Sequence, residues 1–228
     1  MVDTSYQNKE ANYFEDRREE MHPFIPNAAS TLLEVGCGNG AFAANLKMVR
    51  NIHVTAIEPH PPAAEAARRR LDRVFCGSVE SQLPMIESER FDCIVLNDVL
   101  EHLVDPWEEL RLLRSLLSPD GVVVASIPNV RYLPVLKDYV LRAQWQYRDF
   151  GVLDRTHLRF FTKSGMEDLF RASGYQLDSI TGINPLKFSW KMKLIDTAVG
   201  GRIADARFKQ FACVARSAAG PVEAARQS

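Results

Sequence analysis

Short apolar runs alternate with helical stretches between residues 31 and 127, and this rhythm constrains the fold more than any other feature of the sequence. The strand-like runs are residues 31–35, 52–57, 74–77, 91–97 and 121–127. Strands that alternate with helices at this spacing predict a parallel sheet covered by helices on both faces. The fourth and fifth runs are almost continuously apolar, which is typical of central strands.

Downstream of residue 127 the rhythm changes. Thr162 can cap a helix that continues to Ala172, and Gly174 can end it. A strand is predicted over residues 175–180 and a last strand near residues 209–215. Two segments interrupt this pattern, and we treat residues 128–161 and 182–208 as insertions into the domain.

The composition fits one globular domain. The chain has 228 residues, of which 46% are hydrophobic and 25% charged, and no apolar run reaches the ~20 residues that span a bilayer. The polar N-terminus lacks a secretory signal, so a cytoplasmic protein without stable membrane insertion is predicted. We expect a single domain over residues 1–216, with an N-terminal helical segment (1–30) and a disordered tail (217–228).

The cysteines predict free thiols. Cys37, Cys76, Cys93 and Cys213 fall singly in apolar segments, without a CxxC pair or a histidine cluster. Neither disulfides nor a metal site is therefore expected.

Charge is unevenly distributed along the chain. The formal net charge of −1 argues against a nucleic-acid binder that relies on overall positive charge. Residues 128–161 and 182–209 together hold twelve Lys and Arg against five Asp, a net of +7, which leaves −8 for the remainder. The predicted acidic scaffold thus carries a basic C-terminal half.

A glycine loop follows the first strand. Gly36, Gly38 and Gly40 alternate with other residues and lead directly into a helix, where backbone N–H groups can approach a ligand closely. The spacing of Gly36, Gly38 and Ala41, with an acid at Glu58, also satisfies the fingerprint of dinucleotide-binding proteins. The loop alone leaves both kinds of ligand open.

Glu34 favours one of them. A carboxylate two residues before the first glycine is a poor neighbour for a pyrophosphate but a good one for a cation. S-adenosylmethionine (SAM) is a sulfonium cation without phosphate, and Glu58 could accept hydrogen bonds from its two ribose hydroxyls.

Four motifs carry a family resemblance: Glu34-Val-Gly-Cys-Gly-Asn-Gly, Glu58-Pro, Phe91-Asp-Cys-Ile-Val-Leu-Asn-Asp-Val-Leu-Glu-His and Leu117-Ser-Pro-Asp-Gly-Val-Val-Val-Ala-Ser-Ile-Pro-Asn. In this order they resemble class I SAM-dependent methyltransferases, in particular the small-molecule branch that includes the ubiquinone-pathway O-methyltransferases. The similarity extends over residues 13–215. Residues 154–162 resemble a segment of glycan-associated members. The resemblance implies a doubly wound, Rossmann-like α/β fold with seven strands, the last antiparallel, and S-adenosylhomocysteine (SAH) as product.

The resemblance also implies a set of cofactor-binding residues. Glu34 and the glycines would surround the methionine part, Glu58 would bind the ribose, and Tyr13 and Arg18 match positions that close over the cofactor carboxylate. Ser78 stands where the family usually has an acid for the adenine amino group, so either Ser78 or Glu80 is expected to make that contact. The full set is Tyr13, Arg18, Glu34, Gly36, Cys37, Gly38, Gly40, Glu58, Pro59, Ser78, Val79 and Asn97.

A hydroxyl acceptor requires removal of a proton, and a neutral histidine suits that task near neutral pH. His102 follows the fourth strand at the expected substrate edge, and His157 lies in the aromatic segment before residue 160. His102 could instead pack its loop, and His157 could be a structural residue bonded to Asp154. Asp98 is a third candidate for a catalytic role.

The two insertions are interpreted as a cap over a small-molecule acceptor. Their arginines favour an anionic acceptor such as a phosphorylated or nucleotide-linked sugar or a carboxylate-bearing metabolite. A solvated basic face over core packing is the alternative for both, and residues 182–208 could instead form a homodimer interface or a membrane-surface helix. The predicted activity is methylation of a hydroxyl on a sugar or metabolite; the alternatives are methylation of a small amine, an NAD-dependent oxidoreductase and a non-catalytic SAM-binding partner protein.

Overall fold

The computed structural model describes residues 17–218, which form a seven-stranded sheet flanked by helices. The strands are β1 (Thr31–Val35), β2 (His53–Glu58), β3 (Arg73–Cys76), β4 (Phe91–Asn97), β5 (Leu117–Pro128), β6 (Tyr175–Pro185) and β7 (Phe208–Ser217). The helices are α1 (Ala41–Val49), α2 (Pro61–Ala67), α3 (Val79–Ile86), α4 (Pro106–Arg114), α5 (Leu133–Arg142), α6 (Lys163–Ala172) and α7 (Trp190–Ala198). Short 3₁₀ turns lie at Glu19–Phe24, Leu100–His102 and Ala204–Arg207.

The strand order is β3-β2-β1-β4-β5-β7-β6. β7 runs antiparallel to both of its neighbours, whereas the pairings among β1 to β5 are parallel. The predicted α/β fold with an antiparallel last strand is thereby confirmed. The order reverses between β1 and β4, and open α/β sheets bind ligands in the crevice at such a point.

Both faces of the central strands are buried, as their continuous apolar sequence predicts. On one face, Leu33 and Ile94 pack in a core that includes Leu110 of α4 and Phe170 of α6. On the other face, the core contains residues of β1, β2, β4 and β5 together with Phe42 of α1. These two layers hold the carboxyl ends of the parallel strands in fixed positions, which is what a binding site at that edge requires.

Strand β6 is longer than predicted. It continues past Ile180 to Pro185 and pairs along its length with β7, ending at Pro185 opposite Phe208. Its exposed polar residues hide the strand from a hydrophobicity pattern, since β6 lies at the edge of the sheet. The second insertion therefore begins within a strand, and its irregular part is shorter than 182–208.

The two insertions contain helices that add little to the core. Neither α5 nor α7 has a buried residue. Between α5 and α6, aromatic side chains meet edge to face, as Trp145 and Phe160 do with ring centroids 5.2 Å apart. No helix within residues 17–218 is long and apolar enough to cross a membrane. All four cysteines are free thiols, as predicted.

Candidate active site

One cavity of about 920 Å³ opens at the carboxyl edge of the sheet, where the strand order reverses. Twelve of the fifteen predicted site residues line it: Arg18, Glu34, Gly36, Cys37, Gly38, Glu58, Pro59, Ser78, Val79, Asn97, Asp98 and His102. Gly40 and His157 lie outside its lining, and Tyr13 lies outside the described residues. The strand ends thus bring together residues that are up to 84 positions apart, from Arg18 to His102.

The glycine loop adopts a backbone that other residues resist. Gly36 has φ +69°, and a Cβ there would lie 2.8 Å from Cγ2 of Val99. Gly38 has φ +56°, also in the left-handed region. Gly40, with φ +79°, precedes the first turn of α1, and a Cβ there would crowd Leu71. Gly36 and Gly38 therefore shape the cavity, whereas Gly40 serves the entry into the helix.

Glu58 is fixed at the end of β2 by two backbone donors. Its Oε2 accepts a hydrogen bond from the Gly38 N–H at 2.7 Å, and its Oε1 accepts one from the His60 N–H at 2.8 Å. Burial raises its pKa, and these two hydrogen bonds oppose the increase. Each carboxylate oxygen keeps a second acceptor position, so this fixed carboxyl can receive two neighbouring hydroxyls.

Glu34 is 2% exposed, and its Oε2 makes no hydrogen bond with any residue of the described chain. Burial, and to a smaller extent the charge of Glu58, raises the pKa of this carboxyl to about 8. Asn97, which ends β4 in the same cavity, likewise has both side-chain polar atoms buried without a partner among residues 17–218. Buried polar groups without partners are costly, so this end of the cavity is suited to a polar, cationic ligand.

Arg18 and Asp98 are tied to each other. A guanidinium nitrogen of Arg18 donates to the Asp98 carboxylate, which also accepts from Ser126 Oγ and, at 2.6 Å, from Gln210 Nε2. Asp98 has φ +54°, so this network holds it in an uncommon conformation. Because these three donors occupy the Asp98 carboxylate, we interpret Asp98 as a residue that positions Arg18.

The far end of the cavity lies beyond Glu58, at the loop that follows β3. The Ser78 hydroxyl caps α3 by accepting a hydrogen bond from the Ser81 N–H at 3.3 Å. Glu80 lines the same end but is exposed. Glu109, a residue that the sequence analysis did not single out, reaches this cavity from α4. Sequence gave no signal for Glu109 because only folding brings α4 beside α3.

Two histidines and a glutamate converge beside the cavity. The rings of His102 and His157 meet edge to face with centroids 4.7 Å apart, and His157 Nε2 lies 3.9 Å from Glu101 Oε1. Each Nδ1 faces a backbone carbonyl, that of Thr156 for His102 and that of Val152 for His157. Burial raises the pKa of Glu101 to about 8. The sequence does not show that these three residues lie together, because His157 is 55 residues from His102.

The same three residues, Glu101, His102 and His157, have the side-chain types of metal ligands. One donor atom from each of Glu101, His102 and His157 lies within 4.8 Å of the others, a spacing that could also hold a metal ion. Only His102 of the three lines the cavity.

The charge of the described lining is acidic. Its ionisable side chains, the histidine aside, are one guanidinium and six carboxyls: Arg18, Glu34, Glu58, Glu80, Asp98, Asp105 and Glu109. Three cap arginines that favoured an anionic acceptor are elsewhere. Arg131 pairs with Asp205, Arg155 pairs with Asp149, and Arg159 donates to the Val104 carbonyl. The acidic cavity is a poor site for a pyrophosphate and suits a cation.

The sheet order, the glycine loop and the carboxyls at the ends of β1 and β2 define a class I SAM-dependent methyltransferase. Residues 6–180 match the family described as "Methyltransferase domain". The chain belongs to this family. It is similar to a ubiquinone biosynthesis O-methyltransferase of Cereibacter sphaeroides, with 24% identity over 189 residues, covering 80% of this chain and 76% of the relative.

Solved structures share the fold. A SAM-dependent methyltransferase from Archaeoglobus fulgidus superposes with a TM-score of 0.63 at 16% identity. The match covers 91% of this chain and 95% of the Archaeoglobus chain. The plantazolicin methyltransferase BamL, solved with a triazolic desmethylPZN analog and SAH, gives a TM-score of 0.63 at 16% identity, covering 93% and 92%. The family assignment sets aside the NAD-dependent oxidoreductase and the non-catalytic partner protein.

Proposed function

We propose that this enzyme transfers the methyl group of SAM to an oxygen atom of a small-molecule acceptor. One observation carries the proposal: the cavity joins the glycine-loop end, with Glu34 and Glu58, to an end lined by His102, Phe150 and Leu158. A volume of about 920 Å³ lies near the upper part of the range usual for ligand sites, which fits a cofactor and a small acceptor together. When bound, SAM supplies an electrophilic methyl on a positively charged sulfur.

Each part of the cofactor has a counterpart in the cavity. Gly36 and Gly38 let the backbone approach the methionine part, and the unpartnered groups of Glu34 and Asn97 offer it polar contacts. The two fixed oxygens of Glu58 would accept hydrogen bonds from the ribose hydroxyls. Arg18, held by Asp98, Glu20 and Gln210, is the guanidinium of the described lining and would lie near the cofactor carboxylate.

The acceptor would occupy the end formed by the loop after β4 and by the first insertion. Leu103, Phe150 and Leu158 give this end apolar walls, and His102 places there an imidazole, a type of side chain that commonly acts as a general base. His102 would remove the proton as the oxygen attacks in line, while the walls exclude water and fix the approach. The names of the ubiquinone biosynthesis relatives support oxygen as the methylated atom.

The test is a methyl-transfer screen with isotopically labelled SAM. Phenolic, sugar and carboxylate-bearing hydroxyl compounds are compared with amines of similar size, and the position of the label is read by mass spectrometry and NMR. A labelled methyl ether supports the proposal. Label found only on nitrogen would replace it with the amine alternative, and no product from any acceptor would contradict it.

An anionic acceptor is a separate expectation, and ionic strength tests it. Because the described lining holds six carboxyls and one guanidinium, we expect the apparent acceptor KM to change less than about twofold between low and high salt. Exposed charges that attract an anion are screened beyond ~8 Å at physiological salt, so an acceptor captured by the basic cap would show a KM that rises severalfold. Charge reversal at Arg155, an exposed cap residue, is the companion variant.

Binding of SAM should depend on pH through Glu34. With a pKa of about 8, this carboxyl is mostly neutral near pH 7 and ionised near pH 9. A neighbouring cation favours the ionised form, so affinity for SAM should rise as pH increases through about 8, and binding near pH 7 should release a proton. Titration calorimetry in two buffers of different ionisation enthalpy measures this proton. In Glu34→Gln this proton release on SAM binding should disappear. Equal proton release in the variant and the wild type would contradict the assignment.

A further inference from the structure

Glu109 is a buried carboxyl that nothing described so far employs. It lies in the first turn of α4, is 9% exposed and lines the cavity. No hydrogen bond joins its carboxylate to any residue within 17–218, although its own helix neighbour Glu108 is exposed and bonds Arg111. The carboxylate oxygens are not fully buried, so they are open to the cavity, and a ligand that displaces solvent from them must supply a hydrogen-bond donor.

The surroundings of Glu109 also disfavour the ionised form of its carboxyl. Burial and, to a smaller extent, the nearby charge of Glu80 together raise its pKa to about 7. Glu80 of α3 and Glu109 of α4 both line the cavity and lie close enough for their charges to repel. A ligand with hydrogen-bond donors would relieve both the missing partner and the repulsion.

The donors of the cofactor can be matched to the carboxyls in spatial order. Across the sheet, β1 carries Glu34, β2 carries Glu58, and the loop after β3 carries residues 77–80. The cofactor has an ammonium group at its methionine end, two hydroxyls in the middle and one amino group on adenine at the other end. With Glu34 and Glu58 serving the first two, the adenine amino group falls at the end where Glu109 lies.

The two residues expected from the sequence are less suited to the adenine amino group. The Ser78 hydroxyl already accepts the Ser81 N–H as the cap of α3. Glu80 is exposed, so water screens and competes for any hydrogen bond that it makes. Glu109 is the buried acid of this end, and a hydrogen bond formed away from water discriminates more strongly between ligands.

We propose that Glu109 accepts a hydrogen bond from the adenine 6-amino group and thereby selects adenosine-containing cofactors. The inference rests on the proposed placement of the cofactor in this cavity. It moves the base-recognition role from the loop after β3, where the family motif directs attention, to the helix that follows β4.

The experiment compares SAH with its 6-oxo analogue, S-inosylhomocysteine, by titration calorimetry at about pH 8.5, where an acid of pKa about 7 is ionised. The analogue presents a carbonyl oxygen to the carboxylate in place of an amino group. We expect the wild-type protein to bind SAH at least tenfold more tightly than the analogue. Glu109→Gln should reduce this preference to about threefold or less, since an amide can donate to the carbonyl as well as accept from the amine.

Three variants make the result specific. Glu108→Gln changes an exposed acid of the same helix and should keep the wild-type preference. Glu80→Gln tests the other acid of the pair and should also keep it. Glu109→Ala should lose the preference without regaining the analogue's affinity, and thermal unfolding checks that each variant is folded.

Two outcomes would overturn the inference. If Glu109→Gln keeps the tenfold preference, or if Glu80→Gln loses it instead, Glu109 does not read the base. If neither SAH nor the analogue binds the wild-type protein, the cofactor placement fails together with the inference. Methyl transfer to oxygen is measured separately and does not enter this comparison, so its failure is distinguishable.

Discussion

Replacing His102 with alanine is expected to lower methyl-transfer turnover by ~10²–10⁴-fold while affinity for SAH stays nearly unchanged. His102 lines the cavity at the acceptor end, and its Nδ1 lies 3.1 Å from the Thr156 carbonyl, which orients the ring. Loss of a general base slows proton removal without touching the groups around the cofactor. Turnover with the acceptor found in the screen and calorimetric binding of SAH measure the two effects separately.

His157 and His53 provide the comparisons. His157 is buried behind His102, so His157→Ala should reduce turnover by a smaller factor, through the position of the His102 ring. His53 is exposed at the start of β2, and His53→Ala should behave as wild type. Near-wild-type turnover in folded His102→Ala would show that His102 is not the base.

A chelation experiment tests whether His102 acts as a general base or whether it binds a metal ion together with its neighbours. Glu101, His102 and His157 have donor atoms close enough to bind a metal ion. Turnover is therefore measured before and after treatment with a chelator and again after addition of Mg²⁺ or Zn²⁺. Loss on chelation with recovery on metal addition would contradict direct proton removal by His102 as the origin of the effect.

The predictable part of this protein is the part encoded locally. Residues such as Glu34 and Gly36 belong to one strand and the turn that follows it, so their place at the sheet edge follows from the strand–helix rhythm. Glu58 and Asn97 end other parallel strands, and all such ends meet at one edge. This is why most of the site residues predicted from the sequence line the cavity, although no tertiary contact was known.

The unpredicted part depends on contacts between distant elements. Glu109 faces the cavity because α4 packs beside α3, and His157 reaches His102 because the segment after α5 folds back over the loop following β4. The edge strand β6 lacks a hydrophobic pattern because solvent covers much of it. The charge of the cap does not show which cavity its arginines line, since Arg131 pairs with Asp205 and lies outside the lining of the cavity at the sheet edge.

Replacing Glu58 with alanine should weaken SAH binding tenfold or more, about 1.4 kcal/mol or above. Two effects act in the same direction. The carboxylate loses its hydrogen bonds to the ribose hydroxyls, and the Gly38 and His60 N–H groups lose the acceptor that fixes the loop. Titration calorimetry with SAH gives the affinity, and thermal unfolding reports whether the variant is folded.

Gly38→Val should also weaken SAH binding, but by changing the backbone of the glycine loop. A loss of SAH affinity in both Gly38→Val and Glu58→Ala is stronger support than a loss in either alone. Valine resists the φ of +56° that Gly38 adopts, so the loop must shift away from the conformation that lets its backbone approach the ligand. Glu65→Ala is the matched control, because Glu65 is an exposed acid on α2 that pairs with Arg68. SAH affinity equal to wild type in both folded variants would show that the cofactor does not bind at this end of the cavity. The roles assigned to Glu34 and Glu109 would then be wrong as well, since both are placed relative to Glu58.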